Sequence, residues 1–354
     1  MTEKHTRLHV QIAGDTAHEL GVARGTALRE SLADAAARYE GLFRMAGVSE
    51  ARERAGVTAV LDTLAAWRPD VVAELEGIAA GSGVGLAQVV ALNARTEILA
   101  LGNRGGHECS TVTAMIDGQR LGVQTWDWHI EFDPFWHTHE VTGPGHRFVG
   151  LTEQGIVSKI GMNEAGLGLH FNILGHRDDR PSGVPMHVLS RVVLAECATI
   201  AEALELIRSA PITSSSAFTM VDATGAVSVE MSPAGVFPIP EVAGSVQRTN
   251  HFQHEAPLAG QKSALYEPDS SERLALVRER LAGGLPTAAA AMVELLVSDE
   301  TQPPLTCVAD MSKEFGERWA TLATVITDPG AHTIRILDGM PTDAETGEWR
   351  TLVA

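Results

Sequence analysis

Two hydrophobic rhythms divide this chain. Up to about residue 101, apolar positions recur every three or four residues, the spacing of helices with one buried face. After a short strand-like opening, LHVQIAG (8–14), the rhythm runs through HELGVARGTALRESLADAAARYEGLF (18–43) and ARERAGVTAVLDTLAAW (51–67). Arg68-Pro69-Asp70 interrupts it. It resumes in DVVAELEGIAAGSG (70–83), which stops at glycines, and in LAQVVALNARTEILAL (86–101). GNRGG then reads as a loop. Beyond Cys109 the spacing shortens to two, the period of half-buried strands. STVTAMI and QRLGVQTW flank Asp117-Gly118, a strong hairpin signal. Further hairpins are expected at 146–162 around Gln154-Gly155, at 217–232 around Thr224-Gly225, and at 321–339, with another strand in LGLHFNIL (167–174). Helical patches lie between them at 186–196, 199–210, 270–283 and 287–298, and residues 242–270 read as surface loop.

Antiparallel hairpins interleaved with helix pairs predict an α+β protein of layered sheets covered by helices. No GxGxxG follows a strand and no GxxxxGK[ST] occurs, so a nucleotide-binding fold has no support. The net charge of -18 repels phosphate backbones and argues against nucleic acid as a partner. No run approaches the ~18 apolar residues of a membrane span. The N-terminus lacks the pattern of a signal peptide. Three cysteines without a CxxC pair form neither a disulfide framework nor a thiolate zinc site. A cytoplasmic protein with free thiols is the resulting expectation.

That makes Cys109 conspicuous. It stands in GGHECSTVTA (105–114), after a glycine-rich loop and at the start of the first hairpin. A two-residue turn at Asp117-Gly118 sets Cys109 opposite Trp126, with Asp127 beside it. A three-residue loop that includes Gln119 sets it opposite Asp127. A carboxylate beside a thiol raises the thiol pKa, so a reactive Cys109 needs a cation nearby. An arginine would serve, and so would an α-ammonium group. An N-terminal cysteine carries its own base, since its α-amino group titrates near pH ~8.

At these residues the chain resembles the acyl-coenzyme A:6-aminopenicillanic acid acyltransferase-like proteins, peptidase family C45 of the N-terminal nucleophile (Ntn) hydrolases. The resemblance runs from about residue 9 to residue 341. It rests on ELGVARG (19–25), LNARTEI (92–98), the Cys-Ser-Thr start, QTWDW (124–128), GMNEAGLGLHFN (161–172), the helix after GVPMH (183–187), RTNHF (248–252) and the terminal hairpin ending DGMP. It implies a four-layer αββα sandwich of two mainly antiparallel sheets, with a helical N-terminal segment. It implies self-cleavage between Glu108 and Cys109. The helical fragment 1–108 then stays packed on the catalytic portion 109–354 as one globular unit. Cys109 would be the nucleophile of an amidohydrolase or acyltransferase acting on a small N-acyl compound. Asp127 would orient the α-amino group. Asn250 matches an oxyanion-hole asparagine, and Asn172 sits where related acylases carry another. No cofactor is implied, and a homo-oligomer is compatible with this reading. Two positions differ from the family pattern: Glu108 replaces a small residue, and Val308 stands where an arginine is often found near Cys307, with Arg318 close by.

Trp126, Trp128, Phe135 and Trp136 are expected to wall a pocket for an apolar acyl group, with Phe132 among them. Cys197 and Cys307 lie in apolar runs and read as structural. A rival chemistry rests on His129, His137 and His139. Histidines at i and i+2 share one face of a strand, and Glu131, Asp133 or Glu140 would complete the site of a metal-dependent hydrolase. A third reading is a non-catalytic binding protein that keeps the fold without self-cleavage.

Overall fold

The computed structural model describes residues 7–102 and 109–354. Two sheets organise the described residues. The larger runs β1 (His9–Ala13), β4 (Trp136–Thr142), β5 (Phe148–Glu153), β6 (Ile160–Asn163), β7 (Gly168–Ile173), β8 (Ser216–Val221), β9 (Ala226–Ser232) and β10 (Gly235–Pro240), side by side in that order. The smaller runs β11 (Ser245–Arg248), β2 (Ser110–Ile116), β3 (Gln119–His129), β12 (Trp319–Asp328), β13 (Thr333–Asp338) and β14 (Trp349–Val353). Neighbours pair antiparallel, except that β1 joins β4 in parallel. The N-terminal segment carries α1 (Ala17–Ala27), α2 (Arg29–Met45), α3 (Glu50–Trp67), α4 (Pro69–Ser82), α5 (Leu86–Asn93) and α6 (Arg95–Leu99). Helices α7 (Met186–Glu196) and α8 (Ile200–Ser209) pack on the larger sheet. After the short α9 (Glu255–Leu258) and α10 (Ser263–Tyr266), helices α11 (Asp269–Leu281) and α12 (Ala289–Glu294) cover the smaller one. With the sheets face to face, this is the αββα order that the resemblance implies.

The alternation of β2 builds two layers at once. Val112, Ala114 and Ile116 join Val277, Met292 and Val293 in the core beneath α11 and α12. Thr111 points the other way, and its hydroxyl donates to Asn172 Oδ1 on β7 at 2.9 Å. Gln124 crosses between the sheets in the same manner, donating to the Phe171 carbonyl at 2.5 Å.

Asp117 (φ 49°) and Gly118 (φ 81°) form the tight turn joining β2 to β3, and Ile116 pairs with Gln119. Left-handed backbone at two successive positions is the demand that Asp-Gly meets. Packing of α1 on α4 explains the ELGVARG stretch. A Cβ at Gly21 would lie 2.0 Å from the Glu74 carbonyl oxygen, and one at Gly77 would lie 2.2 Å from that of His18. Only glycine lets these helices touch backbone to backbone.

Several expectations change. The apolar stretch 18–43 is two helices that meet at Leu28, and 86–101 breaks at Ala94. Residues 287–298 hold only the short helix Ala289–Glu294. Gln154-Gly155 is not a two-residue hairpin turn, because Leu151 pairs with Ile160 and leaves a longer connection. Burial explains this: Asn93 Oδ1 accepts from Val157 N at 3.0 Å, and the connection sinks into the interior. The segment 242–270 is not surface loop throughout, since β11 pairs with β2 and Arg248, Thr249 and Asn250 are buried. The stretch around His137 and His139 is strand β4, as the spacing of the two histidines required.

Candidate active site

Ser110 pairs with Thr125, so the register continues to Cys109 opposite Trp126. Asp127 therefore projects from the other face of β3. Cys109 is buried, and its Sγ lies 3.9 Å from the backbone carbonyl oxygen of Asp127. The Asp127 carboxylate is instead bound by Thr321, whose hydroxyl donates to Oδ1 at 2.6 Å. A break in the β3–β12 register between Thr321 and Ala323 lies at this point. Bulges of this kind re-aim side chains beside functional sites.

The backbone of Cys109 is tied down. Asn172 Nδ2 donates to its carbonyl oxygen at 2.7 Å, and Ser110 N donates to Thr125 Oγ1 at 3.2 Å. Asn250 stands nearby, with Nδ2 donating to the Ile173 carbonyl at 3.0 Å. Each primary amide has two N–H donors. One N–H of each asparagine serves these carbonyls, which leaves each amide a second donor. Cys109, Asp127, Asn172 and Asn250 thus converge at one end of β2, β3 and β7. Glu108, expected at the self-cleavage site, lies outside the described residues.

Sequence reasoning missed two cations here. The first, Arg273, is fully buried on α11. Its Nη1 donates to Ser110 Oγ at 2.9 Å and to the Cys109 carbonyl at 3.4 Å, and its Nη2 donates to Asn250 Oδ1 at 2.9 Å. The available signal was polar residues inside an apolar stripe: Ser270, Arg273, Leu274 and Val277 are the buried face of that helix. The second, Lys159, is buried in the connection between β5 and β6. Its Nζ lies 4.2 Å from the ring centre of Trp126, the residue paired across from the thiol. It is hydrogen-bonded to Glu153, which also accepts from Tyr39 and from Arg95 (2.7 Å). Burial pushes the Lys159 ammonium down to about 7, with Arg95 adding repulsion, while Glu153 and the Cys109 thiol pull the other way. Burial opposes ionisation of Glu153 too, yet Arg95 and Lys159 hold its carboxyl far below the usual range.

A cavity of about 510 Å³ opens beside this cluster. Leu42, Leu99, Trp128, Leu174 and Trp319 give it apolar walls, with Asp179, Ser215 and Lys262 among its polar lining. Trp128 is the one tryptophan of the expected pocket set to reach it. Trp126 packs edge-on to Trp136 at 5.9 Å, Arg7 covers Trp136, Arg38 lies over Phe135, and Phe132 lies against Tyr39. These four are core, because the strand β4 that carries Trp136 lies inside the larger sheet.

The histidines do not form a ligand set. His137 and His139 are buried with ring centres 6.1 Å apart, and His139 Nδ1 faces Arg24 at 3.2 Å. Burial drives His137 down to about 3, and Arg24 adds to it. His129 instead lies against Trp319 at 4.1 Å. The candidate acids are turned to arginines: Asp133 to Arg7, Glu140 to Arg147 and Glu131 to Arg318. Among the described residues, no three His, Cys, Asp or Glu side chains are grouped to hold a metal ion. Val308 is exposed, and Arg318 also donates to the Lys313 carbonyl, away from the cluster. Cys197 and Cys307 are buried thiols; burial pushes Cys197 up to about 12 and Cys307 further. Among the described residues, no helix is long and apolar enough to cross a membrane.

Comparison with known proteins bears on the family and the fold. A family model described as acyl-coenzyme A:6-aminopenicillanic acid acyl-transferase matches residues 115–343. The 40 kDa form of acyl-coenzyme A:6-aminopenicillanic-acid-acyltransferase from Emericella nidulans is 29% identical over 343 residues, covering 96% of this chain and 94% of that protein. Among solved structures, a single-site variant of conjugated bile acid hydrolase from Clostridium perfringens has a TM-score of 0.50 at 13% identity, over 69% of this chain and 92% of that one. Penicillin V acylase from Agrobacterium tumefaciens gives 0.45 at 15% identity, over 69% and 86%. The bile acid hydrolase shares the fold, which is that of the Ntn hydrolases. The family match spans more than half of the chain, from the end of β2 past β13, and this protein belongs to the acyl-coenzyme A:6-aminopenicillanic acid acyl-transferase family.

Proposed function

We propose that the chain is a self-cleaving cysteine amidohydrolase whose nucleophile is Cys109, and that it hydrolyses the amide bond of a small N-acyl compound. The observation that carries this reading is the anchoring of one buried thiol residue. Its carbonyl is held by Asn172 and Arg273 and its neighbour Ser110 is pinned, beside a cavity of about 510 Å³. A core cysteine needs none of this.

The steps follow from the residue types. In the precursor, Sγ attacks the Glu108 carbonyl carbon and the peptide nitrogen leaves as the α-amino group of Cys109, giving a thioester. Water hydrolyses that thioester and frees the thiol and the Glu108 carboxylate. In the mature enzyme, the α-amino group takes the thiol proton as Sγ attacks the substrate carbonyl. Asp127 keeps that amino group oriented, and second N–H groups of Asn172 and Asn250 stabilise the oxyanion. The proton passes to the departing amine, and water then releases the acyl group from sulfur. An amine in place of water would make the same thioester an acyl donor. Leu42, Leu99, Trp128, Leu174 and Trp319 suit an apolar acyl chain.

A panel of N-acyl aminocoumarins of increasing chain length tests the reading. Amide cleavage that disappears in C109A, with a thioester mapped to Cys109 in a quenched sample, is expected. Turnover that survives in C109A refutes it.

A further inference from the structure

We infer that Arg273 is a positioning residue, whose guanidinium sets the orientation of the Asn250 amide and of the Cys109–Ser110 segment together. The inference rests on the reading of Cys109 as nucleophile and goes beyond it, since it concerns how helix α11 assembles the site.

Donor and acceptor chemistry decides the argument. A guanidinium has five donors and no acceptor. Nη2 lies 2.9 Å from Asn250 Oδ1, so the amide must present its oxygen to Arg273 and its nitrogen to the opposite side. There Nδ2 meets the Ile173 carbonyl at 3.0 Å. A flipped amide would set N–H against guanidinium and oxygen against oxygen. The same guanidinium sends Nη1 to Ser110 Oγ at 2.9 Å and to the Cys109 carbonyl at 3.4 Å. One rigid fork therefore spans a nucleophile residue on the strand β2 side and an oxyanion donor in the segment after β11.

The helix holds the fork in register. Asp269 accepts from Arg273 Nε at 2.8 Å. Ser270 Oγ accepts from Asn250 N at 2.7 Å, and the Ser270 carbonyl accepts from Thr249 Oγ1 at 2.9 Å. Asp269, Ser270 and Arg273 thus grip the Thr249-Asn250 backbone and its side chain at once. Burying a guanidinium carries a desolvation cost, and Leu274 and Val277 on the same face show that an apolar residue would pack there.

Acylation by para-nitrophenyl hexanoate, followed as a burst and as the mass of the Cys109 adduct, supplies the test, with rates normalised to processed chains. R273A is expected to lower the acylation rate about 100-fold, the loss typical of one oxyanion donor, with KM within about threefold of wild type. Millimolar guanidinium chloride is expected to restore at least about tenfold of that loss. R273K keeps the charge without the fork and should remain about tenfold or more below wild type. Any R273A chain left uncut receives the same guanidinium, with fragment appearance as its readout. Acylation at the wild-type rate in R273K, or an R273A defect that guanidinium leaves untouched, overturns the inference. Wild-type protein giving neither burst nor adduct ends the nucleophile reading itself, whatever the Arg273 variants do.

Discussion

Asn172 donates to the carbonyl oxygen of Cys109 at 2.7 Å, from a strand of the opposite sheet. The Thr111 hydroxyl fixes that amide by donating to its oxygen at 2.9 Å. Asn172 thus anchors the Cys109 backbone, and in the proposed mechanism its second N–H is an oxyanion donor. N172A should fold, because the amide sits at an interface held by many other contacts. It should slow fragment appearance and acylation by about 100-fold. Quantitative gels over time, with circular dichroism as the fold control, check this. Unchanged kinetics would remove Asn172 from the site.

Asp127 presents its carboxylate to Thr321 on the face of β3 away from the thiol. That is where a base-orienting group belongs if the base is the α-amino group rather than the carboxylate itself. D127N preserves size and still accepts from Thr321. It is expected to fold normally and to lose at least about 100-fold in kcat, the scale of a misplaced general base. A pH–rate profile distinguishes this from a packing defect, because loss of the orienting charge moves the limb that belongs to the α-amino group.

Glu153 balances two buried cations, Arg95 and Lys159, and accepts from Tyr39. E153Q removes the carboxylate that both cations share and should destabilise the fold by about 3–5 kcal/mol. K159M is expected to cost less than half as much, because Glu153 retains Arg95 and the ammonium already sits near about 7. Urea denaturation of both variants gives the comparison. Equal losses would mean that the lysine, not the carboxylate, holds the centre of the network.

Glu97 accepts from Met186 N at the start of α7, and burial raises its carboxyl from 4.5 to about 7. The folded state therefore keeps a proton that the unfolded chain releases, and stability falls as pH rises between these two values. At ~1.4 kcal/mol per unit, the deficit reaches roughly 3 kcal/mol above pH 7. E97Q removes this titration. Its unfolding free energy should gain about 3 kcal/mol on the wild type between pH 4.5 and pH 8, measured by denaturant titration across that range. A constant difference would show that Glu97 is ionised throughout.

The layered α+β architecture was legible because most hairpins announced themselves by period and turn chemistry, and Asp117-Gly118 marked the first turn while leaving Cys109 opposite either Trp126 or Asp127, a choice that the observed pairing makes for Trp126. Local pattern could not show what depends on distant partners. His137 and His139 read as ligands on one face of a strand, yet their rings are buried within a sheet, where burial pushes both imidazoles down. Strand β11 was hidden in a polar stretch because it is short and its pairing with β2 crosses more than a hundred residues. Cys109, Asp127, Asn172 and Asn250, singled out from the resemblance, lie close together. Arg273 and Lys159 were not, since an arginine on an amphipathic helix and a lysine in a turn carry no local mark of burial. Trp126, Phe135 and Trp136 read as pocket walls because aromatic clusters suit pockets and cores equally well.

Mass spectrometry of the purified chain, with sequencing of every N-terminus present, tests the central claim most directly. The account predicts a fragment that begins at Cys109 and a partner that ends at Glu108, with a single uncut chain in C109A. An intact wild-type chain that cleaves N-acyl substrates at full rate would contradict it, because Cys109 would then have no α-amino group to serve as its base.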